Sequence, residues 1–218
     1  MNLTEFWTIC SLNGIILDET MSRNIQRFQQ ELTYWNERVN LISRQDAKNI
    51  LEKHVLHSLV ILKYEKISYK ARVIDVGCGA GFPGTILKIA RPDIYLTLVD
   101  SIAKKLKIAK MLANHTSLRN INAIAKRVED LAKESNYLGK YDYVVSRAVA
   151  STDKLVHWSL NLLKQNGKFI LLKGGNLEQE IKDTKKYFPK LIIKEIPIDL
   201  IGFDYFKEEE KKVLVIEK

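Results

Sequence analysis

Nucleophilic and metal chemistry have little to work with in this sequence. Its two cysteines, Cys10 and Cys78, stand far apart, which excludes a disulfide framework and any cysteine-based metal spacing. The four histidines, His54, His57, His115 and His157, all fall on segments with helical patterning, and their expected role is structural. No apolar run approaches the length of a membrane span. The opening residues MNLTEFW lack the basic head and apolar stretch of a secretory signal. These absences lead to the expectation of a cytoplasmic protein with neither membrane nor metal; a monomer is expected, although nothing in the sequence fixes the oligomeric state. Repeats and low-complexity linkers are missing as well, so the 218 residues suit one domain with an appended segment.

Positive charge is what the chain has in excess, with a formal net charge of +9. Residues 71–140 carry twelve basic against six acidic side chains, whereas 1–70 carry nine against eight and 141–218 fourteen against twelve. A basic middle third suggests a polyanionic partner, nucleic acid above all. Composition leaves a solvated lysine-rich surface open as the alternative.

Hydrophobic periodicity divides the chain into residues 1–70, a helical cap, and residues 71–218, an α/β unit. In the cap, Ile25, Phe28, Leu32, Trp35 and Val39 form one stripe along a helix expected over 19–40. A second helical pattern, with Asp46 as its expected N-cap, turns Ile50, Val55, Leu59 and Leu62 inward. From Arg72 onward, short apolar runs (RVIDV, IYLTLVD, INAIA, YDYVVSRA, GKFILLK) alternate with helical stretches near 84–91, 102–115, 129–135 and 153–164. That alternation predicts a doubly wound, Rossmann-like parallel sheet covered on both faces. A further helix near 176–188 precedes KLIIKEIPI and KKVLVIEK, which are expected to pair as an antiparallel C-terminal edge.

The densest signal is VIDVGCGAGFPG, Val73 to Gly84, at the end of the first predicted strand. In a doubly wound sheet the ligand lies outside the carboxyl ends of the strands. Glycines there let the backbone turn tightly and approach a ligand closely. Gly79 to Gly84 is a literal G-x-G-x-x-G, and Asp100 ends the second strand about twenty residues on, where a carboxylate accepts ribose hydroxyls. NAD and S-adenosylmethionine fit that pair equally. Three features favour S-adenosylmethionine. Asp75 stands where it can approach a cofactor ammonium, and Val128-Glu129 follows the third strand where an adenine needs a donor and an acceptor. The chain also lacks a second α/β half to carry a nicotinamide.

DVGCGAGFPG, LVDSIAKK, RVEDL, SRAVAS and LLKGG, in this order, resemble the bacterial glucose-inhibited division protein B family of small-subunit ribosomal RNA methyltransferases. The blocks YWNERVNLIS and KHVLHSL are similar to its N-terminal part, so the resemblance runs from about Tyr34 to Lys218. It implies a class I fold that carries the methyl of S-adenosylmethionine to N7 of a guanine in 16S rRNA near the decoding region. Carried over by position, it implies cofactor contacts at Gly77, Phe82, Val128, Glu129 and Arg147, beside Asp75, Gly79 and Asp100 read from the loop itself. It further implies RNA contacts at Lys104, Arg127 and Lys173. Two positions depart from the family pattern. His57 replaces the Asp of an H-x-x-D-S block, which leaves open the hydrogen bond or ion pair that carboxylate would make, and GTILKI replaces GIPLKI.

The residues agree with that chemistry. Methylating an exocyclic amine calls for an Asn- or Asp-Pro-Pro-aromatic turn after the fourth strand, but this chain has SRAV, Ser146 to Val149. Methylating pyrimidine C5 needs a cysteine nucleophile, and none follows that strand. Guanine N7 carries a lone pair and no proton, so no catalytic acid or base is assigned. Arg147, ending an apolar strand, is suited to fork onto a carboxylate or phosphate. Lys104, Lys107 and Lys110 share a helix face and, with Arg119, Lys126 and Arg127, are expected to form a phosphate-facing rim. Arg23, Arg27, Arg38 and Arg44 extend this basic surface, while Trp7, Tyr34 and Trp35 are expected in the core. Two alternatives remain open on the sequence: a small-molecule methyltransferase, and a nucleotide-binding redox or regulatory module.

Overall fold

The computed structural model describes residues 1–116 and 118–218. Strands β1 (Arg72–Val76), β2 (Tyr95–Asp100), β3 (Ile121–Ala125), β4 (Tyr141–Arg147), β5 (Leu163–Gly174), β6 (Ile192–Pro197) and β7 (Lys211–Glu217) form one sheet in the order β3-β2-β1-β4-β5-β7-β6. The first five are parallel, and β7 runs antiparallel between β5 and β6. Both the doubly wound core and the antiparallel C-terminal edge therefore appear as expected. The strand order reverses between β1 and β4, which makes their carboxyl ends the crevice of the sheet.

Alternation along the strands assigns each face its cover. Val73, Leu96, Leu98, Val145 and Ile170 point into one cluster, whereas Ile74, Val99, Val144, Phe169 and Leu171 point into the other. The first cluster takes in α1 (Leu3–Leu12), α2 (Glu19–Asn36), α5 (Gly84–Ala90) and α6 (Ala103–His115) through Phe6, Phe28, Ile86 and Leu112. Leu131 of α7 (Val128–Leu131) and Leu155 of α8 (Thr152–Ser159) belong to the second cluster, and α9 (Glu178–Tyr187) lies against α8. The helical cap thus shares a continuous apolar core with one face of the sheet. Burying both faces explains why the core strands read as unbroken apolar runs.

Two cap boundaries differ from the expectation. Helix α2, capped by Asp18 accepting from the Met21 N–H at 2.8 Å, stops at Asn36 rather than near Asn40. The buried Asn36 side chain accepts from the Leu41 and Ile42 N–H groups, both at 2.9 Å, and so turns the chain. Asp46 opens a 3₁₀ turn (Asp46–Asn49) but does not cap it. Ser43 Oγ accepts from the Asp46 N–H at 3.1 Å and donates to its carboxylate at 2.7 Å. A π turn (Leu51–Leu56) and two short helices, α3 (His57–Leu59) and α4 (Ile61–Tyr64), complete the cap. Between the last two strands, α10 (Tyr205–Glu208) folds back and buries Phe206 in the cap-side cluster.

Candidate cofactor cavity and adjoining cleft

The glycine loop is built as a folded extension of β1. Gly77 and Cys78 donate their N–H groups to the Val99 carbonyl at 2.8 and 3.1 Å, which ties the loop to the end of β2. Asp100 holds it from the other side: Oδ2 accepts from Gly79 N–H at 2.9 Å and Oδ1 from Ile102 N–H at 2.8 Å. Gly77 is required twice over. Its φ of +67° lies in the left-handed region, and a Cβ there would stand 2.4 Å from Val149 Cγ2. Gly84 lets α5 sit directly on β1, because a Cβ there would meet the Asp75 Cβ at 2.8 Å.

Gly77, Asp100, Arg127, Val128, Glu129 and Val149 line one cavity of about 200 Å³, together with Ser101 and Trp158. With Lys126, which also lines it, six residues singled out from the sequence therefore converge on it. Val149 and Trp158 were missed; they lie beyond β4, and it is the folded cavity lining that shows their part in the wall.

Asp75 lies beneath the loop instead of on the cavity. It is fully buried, and its Oδ2 accepts from Gly84 N–H at 2.7 Å while Oδ1 has no partner. Burial pushes its carboxyl up to about 7. Phe82 is also buried: its ring stacks on His54 at 5.0 Å and supports the Arg147 guanidinium at 4.9 Å. Gly79 touches the cavity's architecture only through its bond to Asp100.

Arg147 and Lys173 open onto a second cleft of about 350 Å³, shared with Asp46, Lys53, His54, His57, Tyr205 and Lys211. Arg147 Nη1 donates to the Lys53 carbonyl at 3.0 Å, and Nη2 meets His54 Nδ1 at 2.6 Å. Arginine only donates, so Nδ1 accepts and the ring proton sits on Nε2, which has no partner. Burial, reinforced by Arg147, pushes the His54 imidazole down to about 3. Burial likewise lowers Arg147 to about 10. Among the described residues no carboxylate lies within ion-pair distance of this guanidinium. Lys173 is occupied, donating to the Ala150 carbonyl at 2.7 Å and to Glu180 at 2.8 Å. His57 is buried against the Phe206 ring, and its Nε2 has no partner.

The cavity and the cleft share one wall, the exit of β4. Arg147 and Ala148 face the cleft and Val149 faces the cavity. Ala148 makes this reversal at φ +54°, a left-handed conformation uncommon for alanine.

On the outside, Lys104, Lys107 and Lys110 are exposed along α6, and Arg119, Lys126 and Arg127 are exposed around β3. Lys126 is held by Glu134. Tyr34 corrects an expectation: it is 52% exposed and carries Arg38 over its ring at 3.7 Å, so it is no core residue. Trp7 and Trp35 do pack against the core. Among the described residues no group of acidic, histidine and cysteine side chains has metal-site geometry, and no helix is long and apolar enough to cross a membrane.

The donor set suits S-adenosylmethionine. Asp100 is a carboxylate already oriented by two N–H groups, with lone pairs left for ribose hydroxyls. Val128, Val149 and Trp158 offer apolar walls for an adenine, and the missing Cβ of Gly77 leaves room beside them.

Known proteins agree with this geometry. A putative O-methyltransferase from Nostoc punctiforme shares the fold with a TM-score of 0.62 at 17% identity, over 80% of this chain and 59% of that one. The M. jannaschii TYW2 structure, solved in complex with AdoMet, aligns with a TM-score of 0.52 at 17% identity over 69% of each chain. A ribosomal RNA small subunit methyltransferase G from Alkaliphilus oremlandii is 36% identical over 210 residues, covering 95% of this chain and 86% of the relative. Residues 21–200 match the GidB family, rRNA small subunit methyltransferase G. The chain belongs to this family of S-adenosylmethionine-dependent rRNA methyltransferases.

Proposed function

We propose that the protein methylates N7 of a guanine in 16S rRNA near the decoding region, with the cofactor in the glycine-loop cavity and the RNA approaching from the adjoining cleft. The observation that carries this reading is the shared wall at Arg147–Val149, which sets a nucleoside-sized cavity beside a cleft rich in basic side chains.

S-adenosylmethionine supplies an electrophilic methyl carbon on a sulfonium. The chain's own task is to hold two partners in line and keep water out, which can account for most of the acceleration. Asp100 accepts the ribose hydroxyls, and Val128 and Glu129 flank the adenine. Gly77 and Gly79 keep the loop close to the ligand. Arg147, on the cleft side of the shared wall and with N–H groups left over from Lys53 and His54, forks onto the carboxylate or phosphate that comes up beside the methyl, held in place by the Phe82 ring beneath it. Asp75 serves the same end indirectly, by fixing the start of α5.

Guanine N7 attacks through its lone pair and releases no proton, so no base is called for. The cysteines offer no competing route. Both are buried, and burial pushes the Cys10 thiol up to about 12 and the Cys78 thiol well above its ordinary value. Lys104, exposed on α6, and Arg127, exposed at the cavity, meet RNA phosphates, and Lys173 backs the cleft. The protein acts as a cytoplasmic monomer, with residues 1–70 as a cap on the methyltransferase domain 71–218.

The test is transfer of labelled methyl to small ribosomal subunits from cells lacking the protein. Label recovered in 16S rRNA as 7-methylguanosine supports the proposal. Label on a ribose, an exocyclic amine or a small molecule refutes it.

A further inference from the structure

Among the charged side chains that line the cap-side cleft, Lys53, Arg147, Lys173 and Lys211 are basic and one, Asp46, is acidic. An electropositive cleft for RNA has no evident use for a carboxylate. Asp46 is nonetheless held in place, with Oδ2 accepting from Ser43 Oγ at 2.7 Å and Oδ1 from Lys53 Nζ at 3.0 Å. Burial opposes the charged form, but the Ser43 and Lys53 hydrogen bonds outweigh it and keep the carboxyl below its ordinary value. The side chain is still 32% exposed, and each oxygen has a lone pair to spare.

Guanine is the one standard base whose Watson–Crick edge sets two donors side by side, N1–H and the exocyclic amino group. A carboxylate presents the matching pair of acceptors. An enzyme that works on a base takes it out of the stack and reads that edge while the base rests on an apolar or aromatic surface. Tyr205 lines the same cleft, half-buried, with Lys53 Nζ 5.9 Å from its ring centroid. It lies beyond the residues that match the family, 21–200. A base seated between Tyr205 and Asp46 can turn its N7 edge to the wall shared with the cofactor cavity.

We propose that this cleft receives the flipped target base and that Asp46 selects guanine by accepting from N1–H and the exocyclic amine, with Tyr205 as the stacking surface. The proposal rests on the guanine-N7 reading above. Inosine separates the two, because it keeps N7 and N1–H but lacks the exocyclic amine.

Small subunits are reconstituted with guanosine or inosine at the methylated position, and kcat/KM is measured for wild type and Asp46→Asn. Wild type is expected to prefer guanosine by about tenfold or more, the effect of leaving one charged hydrogen bond unmade. In Asp46→Asn that ratio falls to about one, on the same principle, while affinity for S-adenosylhomocysteine is unchanged. Equal wild-type rates on both substrates overturn the assignment, and this comparison needs no folded variant. A variant that slows both substrates alike and keeps the ratio also overturns it, since that is the signature of a purely structural Asp46. Absence of transfer to the guanosine subunits defeats the N7 reading and this proposal with it, whereas transfer without discrimination defeats this proposal alone.

Discussion

The two hollows on either side of the β4 exit are built in opposite ways. The glycine-loop cavity draws on short segments that each end a strand, at 77, 100 and 127–129, with Val149 closing it. The cap-side cleft gathers Asp46, Lys53 and His54 from the cap, Arg147 and Lys173 from the sheet, and Tyr205 and Lys211 from the C-terminal hairpin. The first is a property of the sheet and the second of how the cap and tail dock onto it. A ligand common to many enzymes suits the first kind of site, and a substrate peculiar to one family suits the second.

Gly77→Ala is the sharpest way to break the cavity alone. The left-handed φ imposes backbone strain on the order of 1–3 kcal/mol, and a Cβ there would push the Val149 side chain out of the cavity wall. Affinity for S-adenosylhomocysteine is expected to fall by about a hundredfold, measured by calorimetry. Near-normal affinity in a folded variant would detach the loop from the cofactor.

Arg147→Lys acts on the wall between the hollows. Lysine keeps the charge and loses the fork, so single-turnover methylation is expected to fall by more than about tenfold, as small misplacements of reacting atoms do. The melting temperature is expected to fall as well, because lysine cannot keep both the bond to the Lys53 carbonyl and the one to His54 Nδ1. A destabilised variant with full turnover per folded molecule would make Arg147 a structural residue only.

The rim is tested by salt. Each phosphate contact contributes roughly 0.7–0.9 to the log–log slope of RNA binding. Replacing Lys104 and Arg127 by alanine is expected to flatten that slope by up to about two units, with cofactor binding unaltered. An unchanged slope would move the RNA off this edge.

The smallest effect concerns the buried carboxylate under the loop. Asp75 titrates near 7 in the fold against an ordinary value of 3.8, so the folded chain holds an extra proton between those values. Its contribution to stability is complete below about pH 4, declines as pH rises to about 7 and is level above. His54, lowered from 6.5 to about 3, works the other way, adding stability as pH rises through that window. Melting curves of Asp75→Asn against wild type from pH 4 to 8 should converge at the acid end and separate towards pH 7, with the variant relatively more stable. Parallel curves would show that Asp75 is not held protonated.

Much of the fold was legible because its central strands are buried on both faces. RVIDV was read from its apolar run and matches β1 residue for residue; INAIA matches β3 in the same way, although that strand lies at the sheet edge and buries none of its residues. The cap was harder, since Asn36 and Ser43 set its turns through side-chain hydrogen bonds that no periodicity records. In the cavity, Gly77, Asp100 and Val128-Glu129 stand at strand ends, where chain order gives position. Asp75 looked equally well placed but points down, because alternation along β1 turns it into the sheet face under α5. The pairing of His54 with Arg147 joins residues 93 positions apart, and local pattern carries no trace of it. Lys53, Tyr205 and Lys211 were missed for the same reason.

The site assignment is most directly tested by titrating wild type and Asp100→Ala with S-adenosylhomocysteine and NAD side by side. The account predicts that wild type binds S-adenosylhomocysteine and not NAD. It also predicts that Asp100→Ala weakens that binding by a few kcal/mol at most, the order of lost charge-assisted hydrogen bonds, without loss of fold. NAD bound as tightly as S-adenosylhomocysteine, or an Asp100→Ala variant with unaltered affinity, would contradict it.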